Sequence, residues 1–452
     1  MIYYLTLLAR LLHSLLTAPP LSPTVGRRQM VLVGMESKKM PDILSALASP
    51  PARGIDPSRG TNQSGVKLYN ERLVLSLIRS HGSLSKTEIA RRTGLSNQTS
   101  SVIMKQLESE GLLIKGTPIR GKVGQPSVPM SLNPEGAFSI GFKFGRRSAD
   151  LVLMDFVGRV RQVLRENYAY PTPNELERFV RSGVAELTQG LDEQQTKRIC
   201  GFGIAAPFEM WGWEDEVGAP HEVQEAWRTY EIKSEVEGLV PWPVHFCNDA
   251  TAACAAELAF GNRTGYSNFL YIFFATLIGG GVVLNGSLYP GRAGYAGAFG
   301  SMLVPGLTNA RSAGAKSLIR CASIYILENM LKNEGQDPSI LWRHPNDWSA
   351  VGTTLDTWIE QASTSVSVAI GSAISIIDFE AIVIDGAFPQ AIRSAVVSRI
   401  REKFAQMDLQ GLAPVDIVEG AIGSDARVLG AASLPLLAGF ARDRDLLFNV
   451  AV

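Results

Sequence analysis

The chain has 452 residues, 46% of them hydrophobic and 19% charged, with 43 Lys/Arg against 43 Asp/Glu. That length allows two or three domains around large cores, and the composition suits a soluble globular protein while excluding a disordered or fibrous one. The four cysteines, at 200, 247, 254 and 321, form no CxxC pair; this argues against a disulfide framework or structural zinc and fits a reducing cytoplasm.

Residues 1–16 are largely apolar with Arg10 among them, and Thr-Ala-Pro-Pro follows. The stretch imitates a signal peptide but is short for a bilayer span. Residues 49–60, rich in Pro, Gly, Ser and Arg, read as disordered. The expectation for residues 1–60 is therefore a disordered leader or a start assigned too early, with Met35 or Met40 as the true first residue.

Residues 61–134 carry the pattern of a winged helix-turn-helix. An amphipathic helix over 68–80 offers Leu73, Val74, Leu77 and Ile78 to a small core. Ser85 and Glu88 stand at capping-box spacing, and Gly94 supplies a sharp turn. Ser96 caps a second helix running to about residue 110, where Gly111 stops it. Val102, Ile103 and Leu107 are expected to pack inward. Asn97, Gln98, Thr99, Ser101 and Lys105 face outward, where they could meet base edges or phosphates, with Ser85, Lys86 and Ser96 near the helix starts. A basic wing spans 112–132, with Arg120, Lys122 and Gln125 at its tip; the cations there suit phosphates or a narrow minor groove. Residues 61–125 hold ten Lys/Arg and four Glu, a net of +6 on a chain of zero net charge. A basic module on an acidic remainder is the electrostatic footprint of a DNA-binding head. Such a head has no use for export, which favours the late start.

From residue 135 the pattern changes. Residues 140–145, 149–155 and 157–160 read as three strands with tight turns, followed by a helix over 173–189. Further strands are expected at 199–206, at 244–249 leading into an Ala-rich helix over 250–260, and at 269–276. Residues 278–281 read as a glycine turn and 282–288 as the rest of a hairpin. A long helix over 355–377 precedes a buried strand at 381–386. Strands alternating with helices imply an α/β body. His245 lies near Asp249 in sequence, yet a packed histidine is the simpler reading.

Three segments carry a specific resemblance: Cys247-Asn248-Asp249-Ala-Thr-Ala-Ala-Cys-Ala-Ala-Glu257, Ile278-Gly279-Gly280-Gly281-Val-Val-Leu-Asn285-Gly286-Ser-Leu-Tyr289-Pro-Gly291, and the run Gly294 to Met302. With them the body, 135–452, resembles the ROK family of repressors, open reading frames and kinases, and the head resembles the winged helix of its transcriptional members. The resemblance implies a two-lobed, actin-like sugar-kinase fold of the ribonuclease H-like class. By that resemblance Asp249 matches the kinases' catalytic base and Asn248 its sugar-binding neighbour, while Gly279 and Gly280 allow close backbone approach. Glu209 is a second candidate hydroxyl acceptor, and Trp211, Trp213 or Trp227 could stack on a sugar, unless they are core residues. Asp249 has a plainer reading as a helix N-terminal aspartate.

The kinase parts are incomplete. Lys143-Phe-Gly-Arg146-Arg147 stands where the kinases carry an aspartate and a glycine-rich turn. Ala298 and Ser301 replace the family's Glu and His, and Cys321 alone represents its Cys-rich zinc loop. The expectation is thus a sugar-responsive DNA-binding regulator, a repressor by family habit, with Asp249 as a vestigial base. No metal, no cofactor and no membrane are expected; the partners are operator DNA, a small carbohydrate and a second copy of the chain, as homodimer or homotetramer. Two alternatives stay open: a sugar kinase with an appended DNA-binding head, and a ligand-independent DNA-binding protein.

Overall fold

The computed structural model describes residues 63–119, 127–208, 210, 220–261, 265–305 and 314–441. The expected leader, the wing tip with Arg120, Lys122 and Gln125, and Glu209, Trp211 and Trp213 lie outside the described residues.

The head begins with α1 (Gln63–His81), α2 (Lys86–Thr93) and α3 (Asn97–Ser109). The local signals act as their chemistry dictates. Ser85 and Glu88 close a reciprocal capping box on α2, and Gly94 terminates that helix at φ 74°. Ser96 accepts from the Thr99 amide at 3.0 Å and starts α3. Strands β1 (Leu113–Lys115) and β2 (Met130–Leu132) pair antiparallel as the base of a wing. Val102 departs from expectation: it is 59% exposed, and Met104 takes the inward place. Val102 follows Gln98 by one helical turn, so it shares the outward stripe that Asn97 starts.

A single 3₁₀ turn, Pro134–Gly136, leads straight into the body. There β3 (Phe138–Phe144), β4 (Ser148–Asp155) and β5 (Val160–Asn167) form an antiparallel meander, covered by α4 (Pro173–Gln189). Then β6 (Ile199–Ala205) and β7 (Val244–Cys247) add parallel to it, giving the order β5-β4-β3-β6-β7. After β7 comes α5 (Asp249–Ala256), which widens into a π-turn over Glu257–Gly261 instead of continuing as regular helix to 260.

The second half repeats the scheme. β8 (Phe269–Phe274), β9 (Gly279–Leu284) and β10 (Ser287–Leu288) form another meander. A small pair, β11 (Leu303–Val304) and β12 (Lys316–Ser317), and α6 (Thr353–Ile374) intervene before β13 (Ala381–Gly386). α7 (Gln390–Phe404) joins it to β14 (Asp416–Glu419), and the order β10-β9-β8-β13-β14 copies that of the first sheet. Two equivalent α/β lobes are thus written into one chain. The last described helix is α8 (Ala426–Phe440).

One expectation is corrected here. Residues 279–281 are not a turn but the first half of β9; the tight turn is Asn285-Gly286, both at positive φ, as a two-residue hairpin requires. The glycines serve packing against α5. A Cβ on Gly281 would lie 2.4 Å from Cys254 Cβ, and one on Gly279 would lie 2.7 Å from Ala250 Cβ.

Between the lobes α5 packs on the second sheet and α8 on the first, and the two helices pack on each other. The contact is unusually close: a Cβ on Gly430 would meet the Ala252 carbonyl at 1.7 Å. Separate apolar clusters fill the first lobe beneath α4 and the second beneath α6 and α7.

Candidate functional site

On the head, α3 presents Asn97, Gln98, Thr99, Val102 and Lys105 to solvent, with Ser101 half-buried among them. Asn97, Ser101 and Lys105 are successive i, i+4 neighbours, and Gln98 and Val102 form the adjacent row. Lys86 of α2 reaches Ser101 Oγ at 3.3 Å, tying the start of α2 to the same face. Ser85 is placed differently from expectation. It is buried, and its hydroxyl donates to Glu88 Oε2 at 2.7 Å while accepting from the Glu88 amide. That hydroxyl belongs to the cap and not to the outward face. Ser96 is exposed, and its hydroxyl pairs with Thr99 Oγ1 at 2.9 Å.

The second candidate region is a cleft of about 230 Å³ lined by Asn248, Asp249, Gly279 and Gly280, together with Ala298 and Ser301. Four expected ligand residues therefore share one wall. Asn248 is the N-cap of α5, and its Oδ1 accepts from the Ala250 amide at 3.0 Å. Asp249 follows at the first helical position. Its Oδ1 shares that amide, and its Oδ2 faces Arg427 Nη1 of α8 at 3.4 Å. This position fits the plain reading of Asp249 as a helix-start carboxylate, and it also places the side chain on the cleft wall.

Among the described residues the aromatic surface of the cleft is Phe208 and Tyr295, edge to face at 4.9 Å, with Tyr295 half-exposed. Trp227 is no part of it. It is buried in the first-lobe core, donates its indole N–H to Pro171 O at 3.0 Å, and packs on Phe144 and Tyr230. His245 is half-buried in β7, and burial lowers its pKa.

Charge at the base of the cleft is organised around the β3–β4 hairpin. Lys143 does not reach into the cleft: it is buried, opposite Asp150 in the ladder, and bonded to it at 3.0 Å. Burial, reinforced by nearby Arg427, brings the Lys143 ammonium down to about 8. Burial works against the Asp150 carboxylate too, but Lys143 and Arg165 outweigh it and leave its pKa lowered. Arg165 bonds Asp150 and also Asp425, at 3.1 Å to the latter. The chain Lys143–Asp150–Arg165–Asp425 thus fastens the residue before α8 to the first sheet. Arg146, from the hairpin turn, lines the cleft with Arg427. Among the described residues no three His, Cys, Asp or Glu side chains group as metal ligands would.

α8 joins the two regions. Its first turn carries Arg427 in the cleft. Further along, Val428, Ala432 and Leu436 enter a cluster with Val74 and Ile78 of α1, Leu113 and Leu132 of the wing base, and Phe156 of the body. Phe440 meets Phe156 edge to face at 4.8 Å, and Arg72 of α1 donates to Ala441 O at 3.4 Å. Arg79 of α1 lies over the Phe156 ring at 5.2 Å, and burial lowers its pKa to about 10. No expectation from sequence included Arg427 or the α8–head joint. One signal was present: Arg427 is a cation in the first turn of an apolar helix, where the helix dipole disfavours it.

Comparison with known proteins agrees with this architecture. The ROK family model matches residues 139–436, and a winged helix-turn-helix DNA-binding model matches 68–114. The xylose repressor of Bacillus subtilis (strain 168) is 25% identical over 247 residues, 54% of this chain and 62% of that protein. The DNA-binding transcriptional dual regulator NagC of Escherichia coli (strain K12) is 23% identical over 245 residues, 53% of this chain and 58% of that one. The chain thus spans roughly three fifths of the length of these relatives. In fold it is similar to a solved ROK family transcriptional regulator, a homologue of the E. coli MLC protein, with TM-score 0.59, 20% identity, and 85% of this chain and 98% of that one covered. No helix among the described residues is long and apolar enough to cross a membrane. A winged helix-turn-helix fused to two α/β lobes of matching topology, with the family model covering both lobes, makes this chain a member of the ROK family.

Proposed function

We propose that this chain is a sugar-responsive DNA-binding transcriptional regulator, a repressor of carbohydrate-utilisation genes, and not an enzyme. The observation that carries the proposal is α8, one helix whose first turn faces the cleft and whose last turns share a core with α1 of the head. In this reading α3 lies in a major groove. Asn97, Gln98 and Ser101 meet base edges, Val102 meets a thymine methyl, and Lys105 and Lys86 meet phosphates. Ser96 and Thr99 sit at the α3 N-terminus, which favours a phosphate. Arg120, Lys122 and Gln125 extend the contact from the wing. Two copies of the chain pair so that their heads match operator half-sites.

Asn248 and Asp249 hold hydroxyls of the effector beside the glycine strand, with Glu209 as a further acceptor. A ligand that binds one arrangement of the cleft more tightly biases α8, and with it the head. Relatives named as a xylose repressor and as NagC support both the DNA and the sugar parts of the reading. Phosphoryl transfer is disfavoured, because Arg146 and Arg427 crowd the Asp249 side of the cleft and no carboxylate of the β3–β4 turn faces it for a magnesium ion.

The test is fluorescence anisotropy on the intergenic DNA beside the gene, at fixed salt, with and without a sugar panel. Tight binding relieved by one compound is expected. ADP release over the same panel, abolished by Asp249→Asn, would instead establish the kinase alternative.

A further inference from the structure

We propose that Arg147 is a latch between the two lobes. Its guanidinium, carried by the β3–β4 turn of the first lobe, seats on Glu328 and Trp342 of the second, holds the cleft shut, and must let go for a ligand to enter. The latch stands on geometry; only its consequence for DNA rests on the regulator reading.

Arg147 belongs to the turn that stands where the kinases carry glycines, and it serves a different end from its neighbour. Arg146 lines the cleft, whereas Arg147 reaches the other lobe. Within the first lobe its Nη1 donates to Ala169 O at 2.6 Å, just past the end of β5, which fixes the direction of the guanidinium. Across the gap its Nη2 lies 3.9 Å from Glu328 Oε2, on the helix Ile324–Asn333. The guanidinium also lies over the Trp342 ring at 5.3 Å, on the short helix Ile340–Arg343. The helix that carries Glu328 starts at the cleft. Its Ile324 amide donates to Ala275 O at 3.0 Å and its Tyr325 amide to Thr276 O at 3.3 Å, and both acceptor residues line the cleft. Glu328 follows Ile324 by one turn, about 6 Å along the axis, so the bridge stands beside the cleft wall.

The contact favours closure and yet is loose. Glu328 has a side chain only 4% exposed, and burial raises its pKa, with the charges of Arg147 and of Lys332 on its own helix opposing that. A buried carboxylate is costly without a compensating cation, and Arg147 is the cation that the first lobe supplies. The separation of 3.9 Å nevertheless exceeds the roughly 2.7–2.9 Å of a charge-assisted bond. Trp342 is 40% exposed, and Arg147 Nε is buried without a hydrogen-bond partner among the described residues. A seat of this kind is released far more readily than the contact of α5 with α8, where a Cβ on Gly430 would meet the Ala252 carbonyl at 1.7 Å. The tight contact is the pivot, and the loose one is the part that opens.

The experiment is pulsed dipolar spectroscopy on the full chain, without ligand or DNA. Spin labels are carried by non-natural residues at Ser182 of α4 and Ser372 of α6, both exposed and one in each lobe. The parent chain should give one dominant distance. Arg147→Met should raise the fraction at longer distance about fivefold. Arg147→Glu, which sets two carboxylates face to face, should raise it further. Glu328→Gln placed on Arg147→Glu should bring the short distance back, a relief that a merely structural arginine would not show. Trp342→Leu removes the second seat and should widen the distribution with Arg147 intact. Circular dichroism and thermal unfolding check that each variant is folded.

A distribution unchanged in Arg147→Met, Arg147→Glu and Trp342→Leu overturns the latch, as does an Arg147→Glu opening that Glu328→Gln fails to relieve. Operator anisotropy on the same variants tests the regulator reading separately. Opening with no change in operator affinity keeps the latch and counts against that reading. A changed operator affinity with no opening overturns the latch and leaves the reading in place.

Discussion

At its first turn α8 is held by charge: Asp425 by Arg165, and Arg427 by Asp249. At its last turns it is held by packing, with Leu436 and Phe440 set among Val74, Ile78 and Phe156. The two kinds of attachment behave differently. Ion pairs at a cleft are directional and can be exchanged for bonds to a ligand. A close-packed apolar joint has few alternatives and transmits displacement. The helix is therefore addressable at one end and stiff at the other, which is the order a ligand-to-DNA signal requires. Pro435, between the two, cannot donate to the Ala431 carbonyl, so the helical ladder is interrupted where α8 leaves the first sheet for the head.

The strongest way to break this contrast is at the packed end. Leu436→Ala should cost about 2–5 kcal/mol of stability, the range for a buried leucine. At a temperature where the variant is folded, effector binding should persist while its effect on operator affinity shrinks. Equal loss of both would mean that the joint serves stability alone.

The charged end can be sharpened through Glu257, which accepts from the Ala421 amide at 2.9 Å and so steadies the segment leading to Asp425. Burial, with the charge of Asp385 adding to it, holds the Glu257 carboxyl up at about 7, against an ordinary 4.5. The folded protein then keeps a proton that the unfolded chain has lost. Below about 4.5 both states are protonated and nothing is lost; stability falls as pH rises through the window from 4.5 to about 7 and is level above it. Glu257→Gln should remove that slope and add about 3 kcal/mol above pH 7. Urea unfolding between pH 5 and pH 8 measures it; an unchanged slope would assign the pH dependence to another group.

The reading helix is the control, because it lies beyond the packed end. Gln98→Ala should cost about 1–3 kcal/mol at one base pair of the operator and leave effector affinity untouched. Lys105→Ala should weaken binding to every sequence and lower the salt slope by about 1. Anisotropy against a set of single-base operator variants separates the two. A uniform loss for Gln98→Ala would move that residue from the bases to the backbone.

Much of the head was legible because its signals are local. Ser85 with Glu88, Gly94 and Ser96 each act within four residues of themselves, and the helices start and stop where those residues demand. Val102 was misread because an apolar residue on a helix is ordinarily inward, whereas here the inward stripe was already filled by Ser100, Ile103, Met104 and Leu107. The glycines at 279–281 were read as a turn because glycine weakens strands. Where β9 is pressed against Ala250 and Cys254 of α5, however, Gly279 and Gly281 have no room for side chains. In the cleft, Asn248, Asp249 and the glycine strand were visible as motifs, since both lie in short contiguous runs.

The sequence by itself determined the caps, the basic charge of the head, the alternation of strands and helices, and the motif residues of one cleft wall. These depend on periodicity, on backbone conformation at single residues, and on neighbours a few positions away. Tertiary structure alone decided that Arg427 faces Asp249, 178 residues earlier in the chain. It likewise decided that Lys143 is spent inside the sheet, that Phe208 and Tyr295 form the aromatic wall, and that α8 ends in the core of the head. Those pairings arise from bringing two lobes and a head together. Their physical cause, the removal of each group from water beside one particular partner, exists only once the chain has folded.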